Sequence, residues 1–184
     1  PGATVVDVGT GSGCLAVSVA LALPTTRVVA IDASAAALVV ARANLAKYGL
    51  RARIACFLGD LLAPIAEEGL ANQVDIILSN PPYISDGDIS TLQPEVRDFE
   101  PRLALAGGCD GMEVHRRLLT QSPAYLKPGG VLLMEVGLGQ AAAVCRHAEE
   151  SGQFHSYAVL QDQGGIDRVV CFEKKAEPSL SSSC

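Results

Sequence analysis

Short apolar, β-branched runs alternate along this chain with longer alanine-rich stretches. Thr4–Val8, Arg27–Ile31, Arg53–Leu58 and Val74–Ser79 have the length and composition of strands. Between the first three, Gly13–Leu23 and Ser34–Tyr48 predict helices, the second stopped at Gly49. Further on, Glu113–Tyr125 predicts a helix ended by Lys127-Pro128-Gly129-Gly130, followed by a strand over Val131–Val136 and a helix over Gln140–Ser151. Ser156–Leu160 and Arg168–Glu173 predict a closing pair of strands. Strands alternating with helices predict an α/β fold with a parallel sheet wrapped on both faces. The near-continuous apolar runs at 4–8, 74–79 and 131–136 fit strands buried on both sides. No helix separates the last two strands, so they predict an antiparallel pair at the sheet edge, because parallel neighbours need a crossover. The sum is a Rossmann-like, mostly parallel seven-stranded sheet with an antiparallel closing hairpin.

Composition narrows the function classes. With 184 residues, 49% of them hydrophobic, the chain can build one well-buried core. Fourteen Lys and Arg against twenty Asp and Glu leave a net charge of −6, which argues against broad attraction to nucleic acid. The longest apolar stretch, Cys14–Leu23, is about half of the ~20 residues that a membrane-spanning helix needs. No basic, apolar leader opens the chain. A cytoplasmic monomer is expected, with the mitochondrial matrix as the alternative in a eukaryote. Six cysteines, at 14, 56, 109, 145, 171 and 184, form no C-x-x-C pair. Cys14, Cys56 and Cys171 lie in apolar runs and read as thiols packed like small hydrophobes, not as metal ligands. Residues 1–175 read as one domain and 176–184 as a flexible tail, serine-rich from Pro178 to Cys184. The chain opens on Pro1 and not Met, which suggests a fragment or a processed protein.

The first strand runs into Asp7-Val8-Gly9-Thr10-Gly11-Ser12-Gly13, and a helix follows. Alternate glycines let the backbone turn sharply and approach a ligand closely, and a helix start presents unpaired N–H groups. The pattern is G-x-G-x-G, with Cys14 where a dinucleotide fold would place its third glycine, which weakens a nicotinamide reading. Asp32, at the end of the second strand, is placed to accept hydrogen bonds from both hydroxyls of a ribose. Asp60 and Leu61, after the third strand, are candidates to accept from an adenine amine and to cover its ring. Together these positions describe a nucleoside pocket with no P-loop lysine. S-adenosylmethionine fits it, with Asp7 meeting the ammonium and the loop amides meeting the carboxylate.

The fourth strand leads directly into Ser79-Asn80-Pro81-Pro82-Tyr83. Two prolines fix φ and push the residues before them to extended conformations, so the Asn80 side chain and nearby carbonyls are rigidly aimed. The Asn80 amide and the Pro81 carbonyl offer acceptors to a planar –NH2 group, and Tyr83 offers a ring to stack on it. An amide nitrogen is a poor nucleophile and a sulfonium methyl a good electrophile. The demand on the protein is therefore alignment more than a strong base. His115, His147 and His155 read as surface or structural residues.

These segments resemble class I methyltransferases of the HemK/PrmC type, the peptide-chain-release-factor glutamine N5-methyltransferases. The likeness rests on Asp7–Gly13, Ala30-Ile31-Asp32 and Ser79–Ile84, on Glu95–Leu105 and Gly107–Met112, on Glu135-Val-Gly-Leu-Gly-Gln140, and on Asp162–Val170. It runs from about Thr4 to Glu173. The resemblance implies that Gly9–Gly13, Asp32, Leu61 and Asn80 bind S-adenosylmethionine, released as S-adenosylhomocysteine. It implies that Asn80, Pro81, Pro82 and Tyr83 hold the glutamine of a Gly-Gly-Gln loop in a release factor, with Asn80, Pro81 and Tyr83 as the catalytic set. Leu61 stands where some members carry an aromatic. The family's N-terminal helical docking domain lies outside this chain, which implies slower methylation of intact release factor than a full-length enzyme gives. Ile84–Leu105 reads as a lid or substrate wall. A ribosomal-protein glutamine methyltransferase, a nucleic-acid amino-methyltransferase sharing the Asn-Pro-Pro-Tyr motif, and a non-enzymatic nucleotide-binding module are the alternatives.

Overall fold

In a computed structural model that describes residues 2–176 (the side chains of 156 and 157 apart), seven strands form one sheet. They are β1 (Thr4–Val8), β2 (Arg27–Asp32), β3 (Ile54–Leu58), β4 (Val74–Ser79), β5 (Leu126–Glu135), β6 (Phe154–Gln161) and β7 (Asp167–Lys174). The order is β3-β2-β1-β4-β5-β7-β6, parallel except that β7 runs antiparallel to both β5 and β6. Thus the chain crosses over after β3, and β1 and β4 lie side by side at the centre. The helices are α1 (Cys14–Ala22), α2 (Ala35–Lys47), α3 (Pro94–Arg97), α4 (Arg102–Leu105), α5 (Glu113–Gln121) and α6 (Ala141–Ser151).

Successive strand residues point to opposite faces, and each face has its own core. Val6, Val8, Val29, Ile31, Ile77, Leu132 and Met134 meet Leu118 and Leu119 of α5 and Val144 and Ala148 of α6. Val5, Val28, Ala30 and Ile54 meet Ala16, Val17 and Ala20 of α1 and Leu45 of α2. β1 and β2 are therefore packed on both sides, which the sequence predicts for β1. β4 and β5 differ: Ile76 and Leu78 lie half-buried at the margin of the second core, and Val131 and Leu133 also stay half-buried.

Local chemistry sets the element ends. Ser34 caps α2, its Oγ accepting from Ala37 N at 3.2 Å. The helix predicted through Tyr125 stops at Gln121 and continues as a 3-10 turn over Ser122–Ala124. Pro123 has no N–H to extend the α-helical ladder. β5 begins before, not after, Lys127-Pro128-Gly129-Gly130: Val74 pairs with Leu126 and Ile76 with Val131, so those four residues bulge opposite Asp75. Cys171 is buried and Cys56 half-buried as expected, but Cys14 opens α1 exposed to solvent. The expected flexible tail from Pro178 to Cys184 lies outside the described residues. No helix among them is long and apolar enough to cross a membrane.

Candidate active site

The carboxyl ends of β1, β2, β3 and β4 bring the two sequence motifs together. On β1, Asp7 is fully buried beneath the glycine loop. Its Oδ2 accepts from Thr10 Oγ1 at 2.6 Å and from Ala16 N at 3.1 Å, so the strand caps the helix that the loop introduces. Oδ1 is buried with no partner. Burial, with a smaller push from Asp32, raises the Asp7 carboxyl to about 6, against the pull of Thr10 and Ala16. The expectation that Asp7 meets a ligand ammonium is thereby narrowed to one oxygen, Oδ1.

The loop above it is stitched to β2. Gly9 N and Thr10 N both donate to Ile31 O at 2.9 Å. Asp32 Oδ2 accepts from Gly11 N at 2.8 Å, and Oδ1 from Ser34 N at 2.8 Å. Each oxygen keeps a second lone pair for a ribose hydroxyl. Gly11 has φ +56 and open space where a Cβ would stand, the form of a cradle for a ligand. Gly13 does different work: buried, it caps α1 and lets α2 approach, for a Cβ there would lie 3.2 Å from that of Ala41. Ser12 is exposed, and its carbonyl accepts from Asn44 Nδ2.

After β3, Leu61 adopts φ +47, a left-handed conformation uncommon for leucine, while its side chain rests against the α5–α6 core. Asp60 is engaged by the Arg117 guanidinium of α5. That pair takes Oδ2 of the carboxylate that the sequence suggests for the adenine amine.

The diproline hook starts one strand away. Val8 pairs with Ser79, and Ser79 Oγ donates to Val8 O at 2.8 Å. A Cβ on Gly9 would lie 3.9 Å from the Asn80 carbonyl oxygen. Asn80 is exposed, Pro81 buried, and Pro82 and Tyr83 half-buried. Tyr83 Oη donates to Glu135 Oε1 at 3.3 Å, and its carbonyl accepts from Gln140 Nε2 at 2.9 Å. Burial first, then Glu135, lifts the Tyr83 phenol above its ordinary range, so it remains a donor. Ile84 N donates to Leu105 O and Gly107 N to Ile84 O, which closes the base of the 84–105 segment. That segment holds α3 and α4 and exposes Phe99 and Leu103.

Three participants escaped the sequence reading. Glu135 and Gln140 stood only in a segment of resemblance, and Arg117 in a helix with no motif. His115 is structural, as expected, and buried: its Nε2 pairs with Glu135 O at 2.8 Å, Nδ1 has no partner, and burial lowers its pKa. His147 and His155 lie away from the core beside Glu150 and Glu173.

A sheet of this order, with an acid-braced glycine loop on β1 and a carboxylate closing β2, is the class I methyltransferase arrangement. A family model for the methyltransferase small domain matches residues 1–96. The release factor glutamine methyltransferase of Geobacter sulfurreducens is 44% identical over 168 residues, 91% of this chain and 57% of that protein. The ribosomal protein uL3 glutamine methyltransferase of Burkholderia pseudomallei is 45% identical over 137 residues, 73% of this chain and 44% of that protein. Among solved structures, a release-factor-specific protein-(glutamine-N5) methyltransferase from Alicyclobacillus acidocaldarius is 31% identical with a TM-score of 0.56, spanning 95% of this chain and 81% of that one. The chain belongs to the methyltransferase small domain family, in its HemK/PrmC branch. It spans 57% of the length of the Geobacter relative.

Proposed function

We propose that this chain transfers a methyl group from S-adenosylmethionine to the side-chain amide nitrogen of the glutamine in the Gly-Gly-Gln loop of a peptide chain release factor. The observation that carries the reading is the placement of the Asn80–Tyr83 hook on the strand next to the glycine loop, locked by the Ser79–Val8 contact. Neighbouring strands lie about 4.8 Å apart, so a group held by the hook and a group held by the loop are neighbours. The residues fit the cofactor: Asp32 has free lone pairs, Gly11 leaves room, and Asp7 Oδ1 is a buried acceptor with no partner. When bound, S-adenosylmethionine supplies an electrophilic methyl on sulfur. The chain's own residues do the rest. Asn80 and the Pro81 carbonyl accept the N–H bonds of the glutamine amide, Tyr83 packs against its plane, and the closed base of the 84–105 segment walls the site.

The test is transfer of tritiated methyl to purified release factor, with a Gly-Gly-Ala variant as control. Label at the glutamine, lost in the control, supports the reading. Label on RNA, or none on either protein, overturns it. The uL3-type relative favours a second reading, a ribosomal-protein glutamine, and label on that protein alone would select it.

A further inference from the structure

The cradle and the hook leave one cluster of polar groups without a role. Gln140, the residue that caps α6, uses both ends of its amide: Nε2 donates to Tyr83 O at 2.9 Å and reaches Gly111 O at 3.4 Å, while Oε1 accepts from Gly137 N at 2.9 Å. Glu135, at the end of β5, accepts from the Tyr83 phenol, and its own carbonyl is pinned by His115. The packing admits nothing larger. A Cβ on Gly111 (φ +73) would strike the Tyr83 carbonyl, and one on Gly137 would lie 3.1 Å from Tyr83 Cδ2.

Proline rings fix φ at positions 81 and 82. Tyr83 is the first residue of the hook whose backbone could still swing, and Ile84 beyond it is tied to Leu105. We infer that Gln140 is a positioning residue: it latches the Tyr83 carbonyl to the loop after β5 and so sets the orientation of the Asn80–Tyr83 hook. The job needs a donor and an acceptor on one planar group, which glutamine has and ionised glutamate lacks. Glu135 holds the same tyrosine at the phenol end. The catalytic consequence rests on the proposed role of the hook in holding an amide; the latch itself does not.

Two readouts separate these levels in the folded protein. Hydrogen exchange over residues 79–87 reads the latch without turnover. Gln140→Ala speeds exchange at Ile84, whose N–H shares a peptide unit with the latched Tyr83 carbonyl and donates to Leu105 O, by roughly tenfold or more, as expected when an ordered segment opens locally. Unchanged protection overturns the inference. Methyl transfer, expressed per cofactor-binding site titrated by calorimetry, reads the consequence. Gln140→Ala lowers kcat roughly ten- to a hundredfold, the cost of misplacing reactants by about an ångström, and leaves the S-adenosylmethionine Kd within about twofold. Gln140→Glu keeps the Gly137 contact and falls at least as far in both readouts; it carries the test if the alanine variant does not fold. A kcat within about twofold of wild type for either variant, or a loss seen only in cofactor affinity, overturns the positioning role. Absence of transfer by the wild type refutes the proposed reaction instead, and the latch is then judged on exchange alone.

Discussion

The two halves of the site are held in opposite ways. The glycine loop is fixed by what lies close to it in sequence or on the next strand: Asp7 to Thr10 and Ala16, Gly11 to Asp32, Gly9 and Thr10 to Ile31. The hook is fixed from far along the chain, Tyr83 by Glu135 and Gln140, 52 and 57 residues away. The first is a binding surface made rigid by its own backbone. The second depends on β5 being in register beside β4. This difference predicts that substitutions around the loop change affinity and substitutions around the hook change turnover.

The largest effect tests the hook. Asn80→Ala removes the amide that accepts the glutamine N–H, and kcat falls about a hundredfold or more, as when one oriented transition-state hydrogen bond is lost. Cofactor affinity stays within about threefold. Rapid-quench methyl transfer and calorimetry on one preparation decide it; an equal loss in affinity would merge the two halves. Next comes the loop. Asp32→Ala removes the acceptor for the ribose and frees Gly11 N, and the cofactor Kd rises roughly ten- to thirtyfold, the cost of losing a hydrogen bond to a charged group. Saturating kcat stays within about threefold, and a kcat loss larger than the affinity loss would break the comparison.

The same contrast explains what was legible beforehand. Strand-end glycines and Asp32 announce themselves because a tight turn and a helix start are local events in the sequence. The diproline hook is equally local. Its anchors are not: nothing in the spacing of Glu135 and Gln140 shows that they reach Tyr83, which needs the sheet order and the φ +73 turn at Gly111. The Arg117–Asp60 pair was hidden for the same reason. The start of β5 reads five residues late, at Val131, because Pro-Gly-Gly reads as a terminator, whereas a strand tolerates it opposite a single residue. Alternating burial of β4 and β5 was missed because apolar runs report what a strand can bury and not what is present to cover it.

The smallest effect concerns Asp7, where the loop holds a charge against its own stability. The native carboxyl is pushed up to about 6, above the 3.8 of an ordinary aspartate, because burial disfavours the anion. The native state therefore keeps its proton where the unfolded chain has released it, and the wild type loses stability as pH rises from about 4 to about 6. At ~1.4 kcal/mol per unit the penalty above pH 6 is about 3 kcal/mol at most. Asp7→Asn removes it but puts an amide NH2 where Oδ1 is buried with no partner, and that unsatisfied donor returns about 1–2 kcal/mol of the gain. The variant is expected to match the wild type or fall slightly below it near pH 4 and to be about 1–2 kcal/mol more stable at pH 7, by urea denaturation across that range. Saturating S-adenosylmethionine should shrink the advantage, because its ammonium gives the anion the partner that Oδ1 lacks. An advantage that is flat with pH would show that Asp7 is already ionised and satisfied without ligand. The rigidity of the loop would then owe nothing to a group held in reserve for the cofactor.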